Sequence, residues 1–478
     1  MTHHLRTVTA TLVCGAQLLA GQAEAAADFS TGLRHAVAVA GDENARFGIG
    51  ERMAHYLVPG VSVAVIDKCR IVDARGFGSA APGGGPVTSH TRFQAGSISK
   101  TFTAVAALRL VERGRLSLNG DIRPLLTSWR LPESPLLAGT GVTLRGLLSH
   151  TAGINQEGGI GYARGAAIPT LVDILEGRPP ANTSPIRVEF APGTWHYSGG
   201  GYYITQALVQ DVTGQAFPRL ISQLVFQPLA LRDSGYAQPA GTMAARAVGP
   251  DGSPLEGGWR VNPELAAGGL WSTPSDIARL AIDIARAVRG ERGELLGNAV
   301  AQAMMTRGPG DWGLGVDLGP AGARRFGHTG HNIGFTSEFI LYPDSCQGAV
   351  VMSNADQGGW LNSEILRAIG DAYGWPDRKA APVVAAVPLT DAISARFVGT
   401  YRLRDFPSER FVISRRPSGL YWARVGHVGR DLLPASEGRL FSPDARMTLE
   451  APDWGSAKAE TLSLSFSGGA NIAERIGD

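Results

Sequence analysis

At 478 residues, the chain is longer than one hydrophobic core usually fills, so the sequence predicts one large domain and a smaller one. Charged residues make up 18% of the chain, and the formal net charge is only +2. This balance excludes the basic footprint of a nucleic-acid-binding protein. Lysine is scarce, because only Lys68, Lys100, Lys379 and Lys458 stand among the 44 basic residues. Because arginine is the usual basic residue of this chain, each lysine is a candidate for a role that arginine cannot fill.

The N-terminus, residues 1–27, has the pattern of a secretory signal peptide. A short polar start is followed by an apolar stretch over residues 8–21 and then by small alanines suited to cleavage. The apolar stretch is too short to span a bilayer comfortably. A lipid anchor on Cys14 is the alternative, although the residues before it lack the usual small one. We expect an exported bacterial protein, periplasmic or secreted, with no membrane span after the signal is removed.

Strand patterns come in pairs at both ends of a long segment. Residues 61–66 and 71–77 are β-branched runs around a polar turn, and residues 338–342 and 348–353 form a second such pair. Between the pairs, apolar residues recur mostly at helical intervals. The pattern predicts one sheet that takes strands from both ends of the segment, with helices between.

Composition also predicts where the large domain ends. Residues 380–390, rich in Ala, Pro and Val, are typical of a linker. They separate an expected domain of residues 28–379 from residues 391–478. In this last segment, short alternating runs with aromatic residues favour a small β-rich domain.

Two cysteines, Cys69 and Cys346, follow the leader. Each lies in a polar turn between two strand-like runs. If the first and last strands of the sheet are neighbours, the two turns meet and a disulfide can form in an oxidising compartment. Two unpaired thiols are the alternative.

The segment Phe93–Lys100 (FQAGSISK) places Ser97 and Lys100 three residues apart at the start of a helical pattern. Residues at this spacing share a helix face, so the hydroxyl and the amine can come within hydrogen-bonding distance. A serine becomes nucleophilic when a base takes its proton, and arginine cannot take the place of a lysine base because it stays protonated. At a helix start, the Ser97 amide can also stabilise a developing oxyanion. An exposed Ser–Lys pair on a helix surface is the structural alternative.

Three further motifs follow in a specific order: LLSHTAG (147–153), PGTWHYSGGGY (192–202) and HTG (328–330). Together with S-x-x-K, they resemble the penicillin-recognising serine hydrolases, which include class C β-lactamases, D-alanyl-D-alanine carboxypeptidases, D-aminopeptidases and related esterases. The resemblance covers residues 32 to 375. It implies an α+β fold, a β-lactamase-like antiparallel sheet flanked by helices with a helical region. The C-terminal segment resembles the small β-barrel that some family members carry.

The resemblance also implies roles for individual residues. Tyr197 matches the tyrosine that works with Lys100 to move the Ser97 proton to the leaving group. The backbone amides of Ser97 and His331 form the oxyanion hole. Thr329 and Gly330 lie on the strand that edges the cleft and contacts substrate. His150 and Thr151 belong to a structural segment of the family, where a packed histidine is expected.

Two departures from the family pattern concern the substrate. Gly199 stands where the tyrosine motif usually has an asparagine that binds a substrate amide. His328 begins the strand motif where typical β-lactamases have lysine, which resembles the carboxypeptidase and esterase members. His328 and His331 form an H-x-x-H, but residues three apart on a strand point to opposite faces, so no metal site is predicted. Glu264 is interpreted as a solvated loop acid, with a place at the cleft mouth as the alternative.

The sequence thus predicts a serine hydrolase that forms an acyl-enzyme with ester or amide substrates, including D-amino-acid peptides. It needs no cofactor, and its partner is a small-molecule or peptide substrate. A β-lactamase or penicillin-binding protein is the alternative within the same mechanism. The alternative from another class is a catalytically silent module that holds a cell-wall ligand.

Overall fold

The computed structural model describes residues 28–81, 83–239, 244–377, 380–452, 457–466 and 469–477. The expected signal peptide and Cys14 lie outside these ranges. No helix within them combines the length and the apolar character that crossing a membrane requires.

Helices dominate the first part of the chain and strands the last. The helices are α1 (Ile49–His55), α2 (Ser99–Glu112), α3 (Leu144–Leu148), α4 (Leu171–Glu176), α5 (Gly200–Thr213), α6 (Phe217–Ile221), α7 (Leu265–Gly268), α8 (Pro274–Val288), α9 (Asn298–Met304), α10 (Gly358–Tyr373) and α11 (Asp391–Phe397). The strands are β1 (Ala38–Val39), β2 (Gly60–Asp67), β3 (Arg70–Gly78), β4 (Phe93–Gln94), β5 (Trp271–Ser272), β6 (Phe326–Asn332), β7 (Phe335–Tyr342), β8 (Gln347–Ser353), β9 (Val383–Val384), β10 (Gly399–Leu403), β11 (Arg410–Arg416), β12 (Gly419–Arg424), β13 (Arg430–Ser436), β14 (Arg439–Ser442), β15 (Met447–Glu450), β16 (Thr461–Phe466) and β17 (Gly469–Gly477).

The central sheet has the antiparallel order β3-β2-β8-β7-β6 within the described residues. Strand β2 comes from the start of the chain and pairs with β8, with Val61 opposite Ser353. Alternate side chains of β2 enter different cores: Val63 packs with α10, whereas Ala64 packs with the helical region that contains α2 and α8. Because both faces are covered, β2 is apolar along nearly its whole length. The predicted α+β fold, with a sheet built from both ends of a segment, is confirmed.

Helix ends follow local sequence signals. Thr273 accepts a hydrogen bond from the backbone N–H of Asp276, and Pro274 occupies the first turn of α8. Such a capped start satisfies backbone donors that have no partner inside the helix. Beyond the C-terminal end of a different helix, α2, Gly114 adopts a φ of +66°, which ends the helical pattern.

The segment predicted to be a linker takes part in the fold. Val383 and Val384 form β9, which pairs in parallel with Ala38 and Val39 of β1. The chain therefore returns to its own N-terminal part before α11 begins at Asp391. The Val387 N–H donates to the Pro434 carbonyl of β13, so the predicted linker is hydrogen-bonded to both the large domain and the barrel.

The C-terminal part is a closed barrel in which β10 to β17 follow one another around the ring, as far as the structure describes it. Tyr401, Ile413, Leu432 and Leu464 are among the buried side chains that fill its interior. Buried and partly exposed residues alternate along these strands, as they must when one face of a sheet turns inward. The expectation of a small barrel-like domain is confirmed.

A buried ionic cluster fastens the barrel to the large domain. The guanidinium of Arg52 donates hydrogen bonds to Glu364 at 2.8 Å and to Asp444, which lies between β14 and β15. His35 and His55 also contact the Asp444 carboxylate. Burial alone would raise the pKa of Asp444, but the hydrogen bonds from both histidines and the charge of Arg52 hold it well below its usual range. The positive charge of Arg52 thus balances the buried carboxylates of Glu364 and Asp444.

Cys69 and Cys346 form a disulfide. Cys69 follows β2 and Cys346 precedes β8, so the pairing of these neighbouring strands brings the two turns together. Of the two alternatives left open by the sequence, the structure has the paired one.

Replacing both cysteines, as Cys69→Ser with Cys346→Ser, will lower the free energy of unfolding by roughly 2–5 kcal/mol. The bond links residues separated by 277 positions, so its loss frees a long stretch of the unfolded chain. Urea unfolding under non-reducing conditions measures the change. Reductant should shift the wild-type midpoint by the same amount and leave that of the double variant unchanged. A wild-type midpoint that reductant does not move contradicts the prediction.

Candidate active site

Ser97 lies in a short 3-10 helix, Gly96–Ile98, that leads directly into α2. Its position depends on Gly96, whose φ of +52° is in the left-handed region. A Cβ on Gly96 would lie 2.6 Å from the backbone N of His331, so the turn packs directly against β6. This contact places the Ser97 and His331 backbones side by side.

Lys100 is a buried amine whose hydrogen-bond partners are fixed. Its Nζ donates to Ser97 Oγ at 2.9 Å and to the backbone carbonyl of Ala267, also at 2.9 Å. Only 2% of the residue is exposed. The carbonyl of Ala267 belongs to α7, which is held in turn by the Gln206 side chain accepting from the Ala266 N–H at 2.9 Å. The hydrogen bond to the Ala267 carbonyl of α7 therefore positions the Lys100 amine next to Ser97.

Tyr197 comes from the loop before α5, and its ring centroid lies 5.0 Å from Lys100 Nζ. His150 fixes this loop in two ways: its ring packs 4.4 Å from the Tyr197 ring, and its Nδ1 accepts a hydrogen bond from the Ser198 N–H at 3.0 Å. The structure thus gathers Ser97, Lys100 and Tyr197, which lie in two distant segments of the chain.

His150 is buried and hydrogen-bonded, in agreement with its interpretation as a structural histidine. Its pKa lies well below the usual value because burial disfavours the charged form and the charge of Lys100 opposes a second cation. The ring therefore stays neutral beside the amine.

Strand β6 places its predicted site residues on two different faces. Thr329 and His331 are exposed, and Nε2 of His331 lies 2.9 Å from Asp356 Oδ1. His328 is buried, and its ring packs 5.2 Å from the Trp312 ring. Burial and the charge of Lys100 lower the pKa of His328 to about 3. His328 is therefore a neutral ring whose centroid lies 6.4 Å from that of Tyr197, and the two histidines of the H-x-x-H face opposite sides of the strand.

Gly330 and Gly199 are both positions of close backbone approach. A Cβ on Gly330 would lie 2.0 Å from the carbonyl oxygen of Ala95. A Cβ on Gly199 would lie 2.7 Å from the carbonyl oxygen of Glu157 and 3.3 Å from Cα of Gly158. The loop at residues 157–158 thus fills the direction in which a side chain at position 199 would leave the backbone.

Glu264 corrects the sequence interpretation. The residue is 3% exposed, so it is a buried acid and not a solvated one. Its Oε1 has no hydrogen-bond partner among the described residues, and burial raises the pKa of the carboxyl to about 7. A Cβ on Gly159 would lie 2.8 Å from this oxygen, so Glu264 packs against the same loop that covers Gly199.

Sequence reasoning missed the polar residues that join the elements of the site. Asn332 donates through Nδ2 to Gln94 Oε1 at 2.8 Å and to the Gly268 carbonyl at 3.0 Å. These bonds connect β6, β4 and α7. An asparagine two residues after the H-T-G motif was the available signal, but nothing in the sequence shows which distant groups it contacts.

Comparison with known proteins identifies the family once this geometry is in place. The β-lactamase family pattern matches residues 49–373. The chain belongs to the β-lactamase family, whose members are serine hydrolases. The resemblance found in the sequence is confirmed.

Two curated relatives illustrate the range of the family. The chain is 25% identical over 402 residues to penicillin-binding protein 4* of Bacillus subtilis, covering 74% of this chain and 81% of the relative. It is 35% identical over 167 residues to esterase EstB of Burkholderia gladioli, covering 32% of this chain and 40% of EstB.

Solved structures with low sequence identity share the fold. The octameric penicillin-binding protein homologue from Pyrococcus abyssi aligns with a TM-score of 0.58 at 21% identity, over 89% of this chain and 98% of its own. The D-amino acid amidase from Ochrobactrum anthropi aligns with a TM-score of 0.56 at 19% identity, over 68% of this chain and 96% of its own. The fold is therefore common to proteins named for different substrates.

The substitution Gly199→Ala will destabilise the protein by roughly 1–3 kcal/mol, because the new methyl group overlaps the Glu157 carbonyl. The backbone at Gly199 is helical, so the conformation itself suits alanine. Gly201→Ala in the same helix is the matched control, since its Cβ would lie an ordinary 3.4 Å from the nearest atom. Thermal unfolding compares the two. Equal melting temperatures would mean that the loop moves aside freely.

The substitution Glu264→Gln will stabilise the protein at pH 8 but not at pH 4. The folded carboxyl titrates near 7, whereas an unfolded glutamate titrates near 4.5, so the folded state binds more protons between these values. The free energy of unfolding of the wild type therefore falls as pH rises through this range, by about 3 kcal/mol if the shift is fully expressed. Urea unfolding of both proteins from pH 4 to 8 measures the difference. A constant difference between them would refute the assignment.

Proposed function

We propose that the protein hydrolyses ester or amide substrates through an acyl-enzyme on Ser97. The observation that carries this proposal is the buried Lys100 amine, held 2.9 Å from the Ser97 hydroxyl by a second bond to Ala267. In its neutral form, the amine accepts the Ser97 proton as Oγ attacks the substrate carbonyl carbon. Tyr197, whose ring lies beside this amine, relays that same proton from Lys100 to the leaving alcohol or amine, so that both side chains return to their starting forms. Water then attacks the ester carbonyl, restores the Ser97 hydroxyl and releases the acid.

The oxyanion in this proposal is bound by the backbone N–H groups of Ser97 and His331. Support comes from the contact of Gly96 with β6, which brings the two backbones together. The start of α2 adds the positive end of the helix dipole. Donors fixed in this way stabilise negative charge without having to reorganise during the reaction.

Two features favour uncharged ester substrates over dedicated β-lactam hydrolysis. His328 is a buried neutral ring at the position where typical β-lactamases have lysine, so β6 offers no cation there for a substrate carboxylate. The backbone of residues 157–158 occupies the direction of the amide side chain that position 199 lacks. The relatives and structural neighbours include an esterase and a D-amino acid amidase, and these names support the proposed hydrolysis of esters or amides.

The two alternatives make different demands on the site. A β-lactamase or penicillin-binding protein uses the same nucleophile, and the similarity to penicillin-binding protein 4* favours testing it. A silent cell-wall binding module has no need for the buried Lys100–Ser97 contact. A small-molecule or peptide substrate without cofactor suits the hydrolase proposal.

Activity toward short-chain p-nitrophenyl esters will fall at least about 10³-fold in Ser97→Ala and in Lys100→Arg. The first variant lacks the nucleophile, and the second lacks a group that can accept its proton. Lys458→Arg, in the barrel, is the matched control and should keep wild-type kcat/KM. Circular dichroism verifies folding of each variant. Equal turnover by Ser97→Ala and the wild type would rule out Ser97 as the nucleophile.

A substrate panel separates the alternatives. The proposal predicts higher kcat/KM for the p-nitrophenyl esters than for nitrocefin, with D-alanyl peptides measuring the amide activity. Faster turnover of nitrocefin would instead support a β-lactamase. A fluorescent fluorophosphonate should label the wild type but not Ser97→Ala. No labelling of either protein, together with no turnover, would support the silent binding module.

A further inference from the structure

A cavity of about 520 Å³ lies where the mouth of the barrel meets the large domain. The barrel contributes Phe411, Trp422, Arg430 and Phe466, and the first turn of α10 contributes Trp360. Pockets of roughly 300–1,000 Å³ hold small organic ligands, and barrel mouths are common places for them. Together with Leu403, Val428 and Leu464, these aromatic side chains form an apolar part of the wall that suits an aromatic ring or a short aliphatic chain.

Arg430 is the unusual group in this wall. It is 6% exposed, and its buried Nε has no hydrogen-bond partner in the part of the chain that the structure describes. The guanidinium carbon lies 4.0 Å from the Trp360 ring centroid and 5.3 Å from that of Trp422. Stacking satisfies the face of a guanidinium but leaves its in-plane N–H donors free. Burial lowers the pKa of Arg430 to about 10, so the group remains charged at neutral pH.

Other groups around the cavity favour a negative ligand. The N-terminal end of α10, at Gly359, lines the cavity and adds the positive end of a helix dipole. The acidic residues in the wall are already occupied: Glu409 is bonded to Arg424, and Asp356 to His331. Asp444 attracts the Arg430 charge, but no hydrogen bond or close ion pair joins the two side chains, and the carboxylates of the cavity wall are already paired.

We propose that this cavity binds a small carboxylate that bears an aromatic or aliphatic group. The carboxylate accepts the in-plane N–H bonds of Arg430, and the apolar group packs between Trp360, Trp422 and Phe466. Planar guanidinium and carboxylate groups match in a bidentate arrangement, and such bonds strengthen where water is excluded. This inference does not depend on the proposed acyl transfer.

The cavity adjoins the candidate active site without being part of it. The side chain of His331 lines the cavity, whereas its backbone N lies beside Gly96. A bound carboxylate therefore lies near β6, the strand that borders the nucleophile.

Isothermal titration of the mature protein with 3-phenylpropanoate tests the proposal, with 3-phenylpropanamide as the neutral probe of the same shape. We expect one acid molecule per chain and at least a tenfold preference for the acid over the amide. Arg430→Met keeps an apolar stem against Trp360 but removes the charge, and should lose that preference. Arg416→Met is the matched control, because Arg416 stacks on Tyr421, outside the cavity wall.

Two further proteins keep the experiment decisive. Ser97→Ala should bind the acid as the wild type does, which separates this cavity from the acyl site. If Arg430→Met does not fold, Phe466→Glu places a negative charge at the cavity rim and should weaken acid binding at least tenfold. Equal binding of acid and amide by the wild type, loss of binding in Ser97→Ala, or undiminished acid binding in a folded Arg430→Met would each overturn the proposal.

Discussion

The candidate active site depends on one contact between two backbones. Gly96 approaches β6 so closely that any side chain at that position would collide with the His331 nitrogen. This contact sets the distance between the helix that carries Ser97 and the edge of the sheet. The proposed oxyanion hole depends on it, because it brings the backbones of Ser97 and His331 together. A glycine is required here for both reasons that glycine offers, its positive φ and its lack of Cβ.

The buried amine of Lys100 is tolerated because its surroundings are polar where it needs acceptors and neutral elsewhere. Ser97 Oγ and the Ala267 carbonyl accept its hydrogen bonds. The nearby His150 and His328 stay uncharged, since burial and the amine itself disfavour a second cation. Aromatic rings, including that of Tyr197, face the amine with their negative π-surfaces. Because both histidines stay neutral, the proposed proton transfer involves the Ser97–Lys100 pair and not the histidines.

The sequence predicted the elements whose signals are local. The S-x-x-K spacing placed Ser97 beside Lys100, and strand periodicity predicted the sheet. The burial of Glu264 was missed because it depends on a loop about a hundred residues away folding over α7. Alternation along β6 could separate His328 from His331 but could not say which face is covered. The cavity at Arg430 depends on how the barrel docks on the large domain, which no single segment encodes. The chemical role of Tyr197 stays a prediction, because the structure gives its position only.

The pairing of β2 with β8 has a consequence for how the molecule must be made. Strand β2 is synthesised almost three hundred residues before its partner, and from Val61 to Ile66 its edge awaits residues 348–353. An apolar edge with unpaired backbone groups is a template for association with other chains. A nascent or truncated polypeptide that stops before β8 therefore exposes an unpaired, aggregation-prone strand edge. This edge is covered only after translation has passed through nearly the whole large domain.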